Sequence, residues 1–275
     1  MTNTPRITLN NGVEMPQVGF GVFQVSDAET TAAVTTALDA GYRSIDTASI
    51  YGNECGVGNA LARSGIRREE LFVTSKLWIE DMGYDQTLKA FEQSLQLLGL
   101  EYLDLYLIHW PAPANDLYAA SWKAMETLYR EGKIRAIGVS NFQPVHLEAL
   151  IERADVVPAI NQVELHPALQ NRSVIDVNSR YGVTTEAWSP LAQGAMLTEP
   201  TILQIAHKHG VSAAQVILRW HVQQGRVVIP KSVTPTRIAS NLDLFGFELS
   251  QGELVSIDML DRDERTGPHP DFFMG

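Results

Sequence analysis

Four residues, each at or just past the end of a short apolar run, carry side chains able to move a proton. They are Asp46 in GYRSIDTASIYG, Tyr51 five positions later, Lys76 in LFVTSKLW and His109 in LDLYLIHW. A free phenol, with a pKa of about 10, is a poor acid for a carbonyl at neutral pH. A neighbouring ammonium would stabilise the phenolate and lower that value, and a buried carboxylate would keep the ammonium charged and oriented. A neutral imidazole can donate to a substrate oxygen and fix its position. Together the four could protonate a carbonyl oxygen. Singly, each has an ordinary explanation: a turn-forming Asp, a rim Tyr, a solvated Lys, a His packed in a corner before Trp-Pro. Their shared placement at the exits of successive strands sets them apart.

Short continuous apolar runs at 18–21, 44–46, 71–76, 103–109, 136–140, 159–164, 184–188 and 227–230 read as buried parallel strands. Between them lie helical segments at 53–64, 85–98, 116–131, 144–154, 172–181, 201–223 and 235–242, and an earlier helix opens at Ser26 with Glu29 as its capping-box partner. Eight strands alternating with helices and no linker-like break predict one (β/α)8 TIM barrel, a single domain over 1–275. The competing layout, an open doubly wound sheet, lacks its G-x-G-x-x-G after the first strand. Asn10-Asn11-Gly12 between two apolar runs predicts an N-terminal β-hairpin, placed as a plug in the barrel bottom. The tail after Leu260 is expected over one rim. In such a barrel Asp46, Lys76 and His109 fall at the catalytic end, with Tyr51 on the loop above.

A net charge of −11 argues against a general nucleic-acid or membrane-surface binder. Cys55 is the only cysteine, which rules out an internal disulfide and fits a reducing cytoplasm. No charged-then-apolar leader or membrane-length apolar run is visible, so the expectation is a soluble, cytoplasmic chain. His207 and His209 stand two apart on a helix and face different ways. His146, His221 and His269 have no partners at ligand spacing, and His166 reads as structural, so no metal is expected. One cationic site stands out in this acidic chain. In IPKSVTPTR, Thr234 before Pro235 reads as a helix N-cap followed by proline at the first helical position. Free N–H groups there, Lys231, the Ser232 hydroxyl and Arg237 converge as a phosphate site.

The motifs GYRSIDTASIYGNE, LDLYLIHWP, GVSNF, NQVELHP and IPKSVTPTRI, with the strand carrying Lys76, resemble the aldo-keto reductase family over nearly the whole chain. The short loops and compact tail are most similar to its bacterial 2,5-diketo-D-gluconate reductase branch. The resemblance implies NADPH-dependent carbonyl reduction, with Asp46, Tyr51, Lys76 and His109 as the catalytic tetrad and Tyr51 as proton donor. It implies that Ser140, Asn141 and Gln162 hold the nicotinamide carboxamide and that the ring stacks on Trp188. It further implies that the loop with Leu191, Gln193 and Gly194 meets the pyrophosphate. Lys231, Ser232, Val233, Thr234 and Arg237 would hold the 2′-phosphate, and Asn241 would touch adenine. Ser240 stands where many relatives have Glu, which weakens the adenine contact. Phe23, Ala48, Trp78, Trp110 and Gln193 are expected to line an open substrate mouth beside His109, suited to small aldehydes, dicarbonyls, keto-sugars or keto-esters. A monomer with no macromolecular partner is the family expectation. Two other readings stay open: a Schiff-base aldolase or isomerase using Lys76, and a non-catalytic module that senses NADP.

Overall fold

The computed structural model describes residues 4–275. The chain opens with a hairpin, β1 (Arg6–Thr8) and β2 (Glu14–Pro16), paired antiparallel with Ile7 opposite Met15. Eight parallel strands follow: β3 (Phe20–Gly21), β4 (Ser44–Asp46), β5 (Phe72–Leu77), β6 (Leu103–Ile108), β7 (Ile134–Ser140), β8 (Ile160–Glu164), β9 (Thr184–Trp188) and β10 (Val227–Val228). They pair in strict chain order from β3 to β10, and Val18 bridges Val228 to close the ring. The expected barrel is therefore the observed one.

Helices α1 (Asp27–Ala40), α2 (Glu54–Arg63), α3 (Tyr84–Leu98), α4 (Tyr118–Arg130), α5 (Pro144–Ile151) and α6 (Arg172–Arg180) connect successive strands. Where one helical region was expected over 201–223, two helices stand: α7 (Pro200–His209) and α8 (Ala213–Gln223). Gly210, in left-handed conformation at φ 64, ends the first, and a Ser212–Gln215 capping box starts the second. The last two helices are α9 (Pro235–Leu242) and α10 (Gln251–Asp258). The capping box expected at Ser26 is not formed. Its hydroxyl donates directly to the Glu29 carboxylate at 2.6 Å, so neither side chain caps the backbone.

Period-two alternation decides what enters the barrel. In β6, Tyr106 and Ile108 pack outward in the layer under the helices, whereas Leu105 and Leu107 join the interior cluster with Phe72, Ala136 and Ile160. Leu9 and Met15 of the hairpin complete that cluster, so the hairpin plugs the barrel bottom as expected. Asn10 and Asn11 anchor it by donating to the carbonyls of Pro158 and Arg135, each at 2.9 Å. At Gly138 a Cβ would lie 2.8 Å from the Ile160 carbonyl and 2.8 Å from a Leu107 methyl, so only glycine lets β7 and β8 approach. Continuing the same alternation upward, the inward positions become Asp46, Lys76, His109, Gln162 and Glu186. The interior is apolar below and polar above.

Candidate active site

Asp46 ends β4, Lys76 lies one residue short of the end of β5, and His109 directly follows β6. Tyr51 sits on a 3-10 turn (Ser49–Tyr51) stopped by Gly52 in left-handed conformation. The four come together. The Lys76 ammonium, fully buried, donates to Asp46 Oδ1 at 2.5 Å, to the Thr47 carbonyl at 3.0 Å and to Tyr51 Oη at 3.5 Å. Tyr51 Oη lies 3.5 Å from His109 Nε2. Burial works to lower the Lys76 pKa, but Asp46 foremost, by its charge and its hydrogen bond, outweighs it and the ammonium is held above its usual range.

The phenol corrects one expectation. Burial is the largest influence on Tyr51 and raises its pKa; Lys76 opposes this without reversing it. The group therefore stays protonated at neutral pH, as a proton donor must. Burial, reinforced by Lys76, pulls His109 well below the usual imidazole range, so it is neutral. Its Nδ1 has no partner among the described residues.

The residues expected at the carboxamide are already linked to one another. Asn141 donates to the His109 carbonyl at 2.9 Å and to Ser140 Oγ at 3.1 Å, and accepts from Trp188 Nε1 at 2.8 Å. Ser140 Oγ donates to the Gln162 carbonyl at 2.8 Å. Gln162 Nε2 donates to Asp46 Oδ2 at 2.8 Å and to Glu186 Oε2 at 3.0 Å. Its own Oε1 accepts from no described residue, which leaves an acceptor suited to a carboxamide N–H.

Beyond β9 the loop folds on itself. Ser189, Ala192, Gln193 and Gly194 all have positive φ, and the Gly194 N–H expected at a phosphate donates instead to the Leu191 carbonyl at 2.9 Å. At α9, Thr234 precedes Pro235 in the cap position but its hydroxyl makes no cap bond; its own N–H donates to Ser232 Oγ at 3.1 Å. Lys231 and Arg237 are exposed and form no ion pair among the described residues. Two cations without carboxylate partners beside a helix N-terminus fit a phosphate. Ser240 turns back to donate to the Arg237 carbonyl at 3.2 Å, and Asn241 is buried.

Around the mouth, Phe23 packs on Tyr51 at 5.0 Å between ring centroids, Trp78 on His109 at 5.2 Å, and Trp110 on Trp188 at 6.5 Å. Gln193 is exposed. Ala48 has no accessible surface, because the turn to Tyr51 folds over it, so it cannot line the mouth as expected. Phe273 takes a place in the wall instead, 4.4 Å from Trp110 and 6.1 Å from Trp78. The tail that carries it crosses this rim. Glu164 at the end of β8 accepts from the Thr266 N–H and hydroxyl, each at 2.6 Å, and from the Gly267 N–H at 3.2 Å. A Cβ on Gly267 would lie 2.6 Å from the Trp188 ring, so the tail can pass there only as glycine. Phe273, at the end of a polar stretch, gave no sequence signal. Glu186 did: it is an acid inside an apolar strand, on the inward parity of Trp188.

His146 and His269, expected without partners, each lie 3.8 Å from an oxygen of Asp271. One shared carboxylate does not make a metal site, and no group of three or more potential metal ligands occurs among the described residues. Nor, among those residues, is any helix long and apolar enough to cross a membrane.

Residues 17–262 match the aldo/keto reductase family. The glyoxal reductase of Bacillus subtilis is 56% identical over 266 residues, covering 96% of each chain. The methylglyoxal reductase DkgA of Escherichia coli is 49% identical over 277 residues, covering 100% of each. A mutant of Gox0644, solved in complex with NADPH, superposes with a TM-score of 0.95 at 45% identity, covering 98% of both chains. These likenesses do not single out the 2,5-diketo-D-gluconate reductase branch. With its closed eight-stranded barrel and the four proton-handling residues at the carboxyl ends of the strands, the chain belongs to the aldo/keto reductase family.

Proposed function

We propose that this chain reduces aldehyde and ketone carbonyls, small aldehydes and dicarbonyls foremost, with NADPH as reductant and Tyr51 as proton donor. The observation that carries this reading is the buried chain Asp46–Lys76–Tyr51 meeting a neutral His109 at the aromatic mouth. When bound, NADPH supplies the hydride for the carbonyl carbon. Tyr51 gives its proton to the carbonyl oxygen, and Lys76 stabilises the phenolate left behind. Asp46 keeps Lys76 charged, and the neutral His109 offers an N–H that orients the oxygen. Phe23, Trp78, Trp110 and Phe273 give this step aromatic walls.

Ser140, Asn141 and Gln162 would hold the carboxamide, Trp188 the ring, and the loop at Leu191, Gln193 and Gly194 the pyrophosphate. Lys231, Ser232, Val233, Thr234 and Arg237 would take the 2′-phosphate, with Asn241 at adenine. The unpaired Lys231 and Arg237 support a preference for NADPH over NADH. The glyoxal and methylglyoxal reductases among the relatives support dicarbonyls as substrates. A monomer is the reading in keeping with the family resemblance, and the exposed thiol of Cys55 fits a reducing cytoplasm. A Schiff-base role for Lys76 is disfavoured because an ammonium held charged by Asp46 is a poor nucleophile.

The test is consumption of NADPH by the purified protein over a carbonyl panel that includes glyoxal and methylglyoxal. Turnover of dicarbonyls is the expected outcome. NADPH binding without turnover of any carbonyl would turn the assignment to the sensing module, and borohydride trapping of a carbonyl on Lys76 would turn it to the aldolase.

A further inference from the structure

One carboxyl inside the site has no part in the proton transfer above. Glu186 on β9 is fully buried and lies in register beside Gln162 on β8. Its Oε2 accepts from Gln162 Nε2 at 3.0 Å, while Asp46 Oδ2 accepts the other N–H of the same amide at 2.8 Å. Asp46 is at the same time the partner of Lys76. The Gln162 amide is thus held between two carboxyl groups, one of them paired with the ammonium that supports Tyr51.

We propose that Glu186 is a positioning residue, which with Asp46 clamps the Gln162 NH2 group and so aims Gln162 Oε1 at the nicotinamide carboxamide N–H. This rests on the cofactor reading above. The orientation follows from the chemistry of the neighbours. An amide oxygen turned toward the Asp46 carboxylate would set acceptor against acceptor, so the NH2 end must face inward. A carboxylate at Asp46 alone satisfies one of its two N–H groups. The second needs an acceptor too, because an orphaned buried N–H carries a desolvation penalty that favours rotation away. Glu186 is the acceptor that the chain provides.

The charge state agrees. Burial, and then the neighbouring Asp46 carboxylate, push the Glu186 carboxyl up to about 8. At neutral pH it therefore carries a proton and can still accept through Oε2. Asp46 then remains the single anion facing Lys76, and the clamp adds no second buried charge. Glu186 thereby joins the proton-transfer pair to the cofactor acceptor through one glutamine.

The test is binding, read by tryptophan quenching in the full chain. The ligands are NADP+, its 3-acetylpyridine analogue (a methyl in place of the carboxamide NH2) and 2′,5′-ADP, which has no nicotinamide. Wild-type protein should prefer NADP+ over the analogue by about tenfold, the weight of one well-placed hydrogen bond. In Glu186→Leu that ratio should fall towards one with 2′,5′-ADP affinity unchanged, and Glu186→Gln, which keeps an acceptor, should restore it. Glu186→Met serves if the leucine variant does not fold. An unchanged ratio in the apolar variant overturns the inference. So does an equal loss for all three ligands, or a wild-type protein that does not distinguish NADP+ from the analogue. Wild-type protein that binds neither NADP+ nor 2′,5′-ADP would instead defeat the cofactor reading itself.

Discussion

Lys76 directs its ammonium to three oxygens, from Asp46, the Thr47 carbonyl and Tyr51, and has no accessible surface. A buried ammonium costs several kcal/mol unless its partners are placed this well, and the placement ties Asp46, Lys76 and Tyr51 into one unit. Lys231 and Arg237 are the opposite case: exposed, unpaired cations in a chain of net charge −11. If they hold the 2′-phosphate, Lys231→Gly with Arg237→His should weaken NADPH binding by on the order of 30- to 100-fold. NADH binding should change only a few-fold. Equal losses for the two cofactors in parallel titrations would place the phosphate elsewhere.

At the scale of elements, strand parity does most of the positioning. Asp46, Lys76 and His109 were legible because each closes an apolar run, and the barrel rule sends strand ends to the catalytic rim. The hairpin was legible from Asn-Gly between apolar runs. What was not legible depends on packing at a distance. Sequence gives no sign that the turn to Tyr51 buries Ala48, that burial outweighs Lys76 in setting the Tyr51 pKa, or that the tail returns Phe273 to Trp110. The break between α7 and α8 was marked by Gly210, but the amphipathic pattern on either side masked it. The hairpin carries its own prediction. Met15 is wholly buried against the lower barrel core, so Met15→Ala should cost about 3 kcal/mol, seen as a lower urea midpoint. NADPH affinity should stay as in wild type, because the plug lies at the other end of the strands. A normal midpoint would mean that the hairpin does not seal the barrel.

The whole molecule is polarised along the barrel axis, apolar at the plugged end and rich in buried ionisable groups at the other. This has a consequence for stability. His109 and His221 are buried and neutral: burial is the main cause in both, aided by Lys76 at the first and by Arg226 at the second. With folded pKa values below the ordinary 6.5, these histidines take up fewer protons than the unfolded chain as pH falls. Their contribution is fully present above about pH 6.5 and is lost below it, approaching about 1.4 kcal/mol per pH unit for each histidine. Glu186, which keeps its proton in the folded protein up to about 8, works in the opposite sense. Urea midpoints should therefore fall from pH 7 to 8 and also decline between about 6.5 and 5, where the two histidines outweigh it, before ordinary carboxylates titrate. A level midpoint down to pH 5 would contradict the burial of both rings.

The proposed function depends on Tyr51 as the proton donor of an NADPH-dependent carbonyl reduction. It is tested most directly by comparing wild type and Tyr51→Phe for NADPH affinity and for the rate of methylglyoxal reduction under saturating cofactor. Unchanged NADPH binding and a rate lower by on the order of 10² to 10⁴ are expected. A Tyr51→Phe protein that binds NADPH and reduces the carbonyl at close to the wild-type rate would mean that another group supplies the proton.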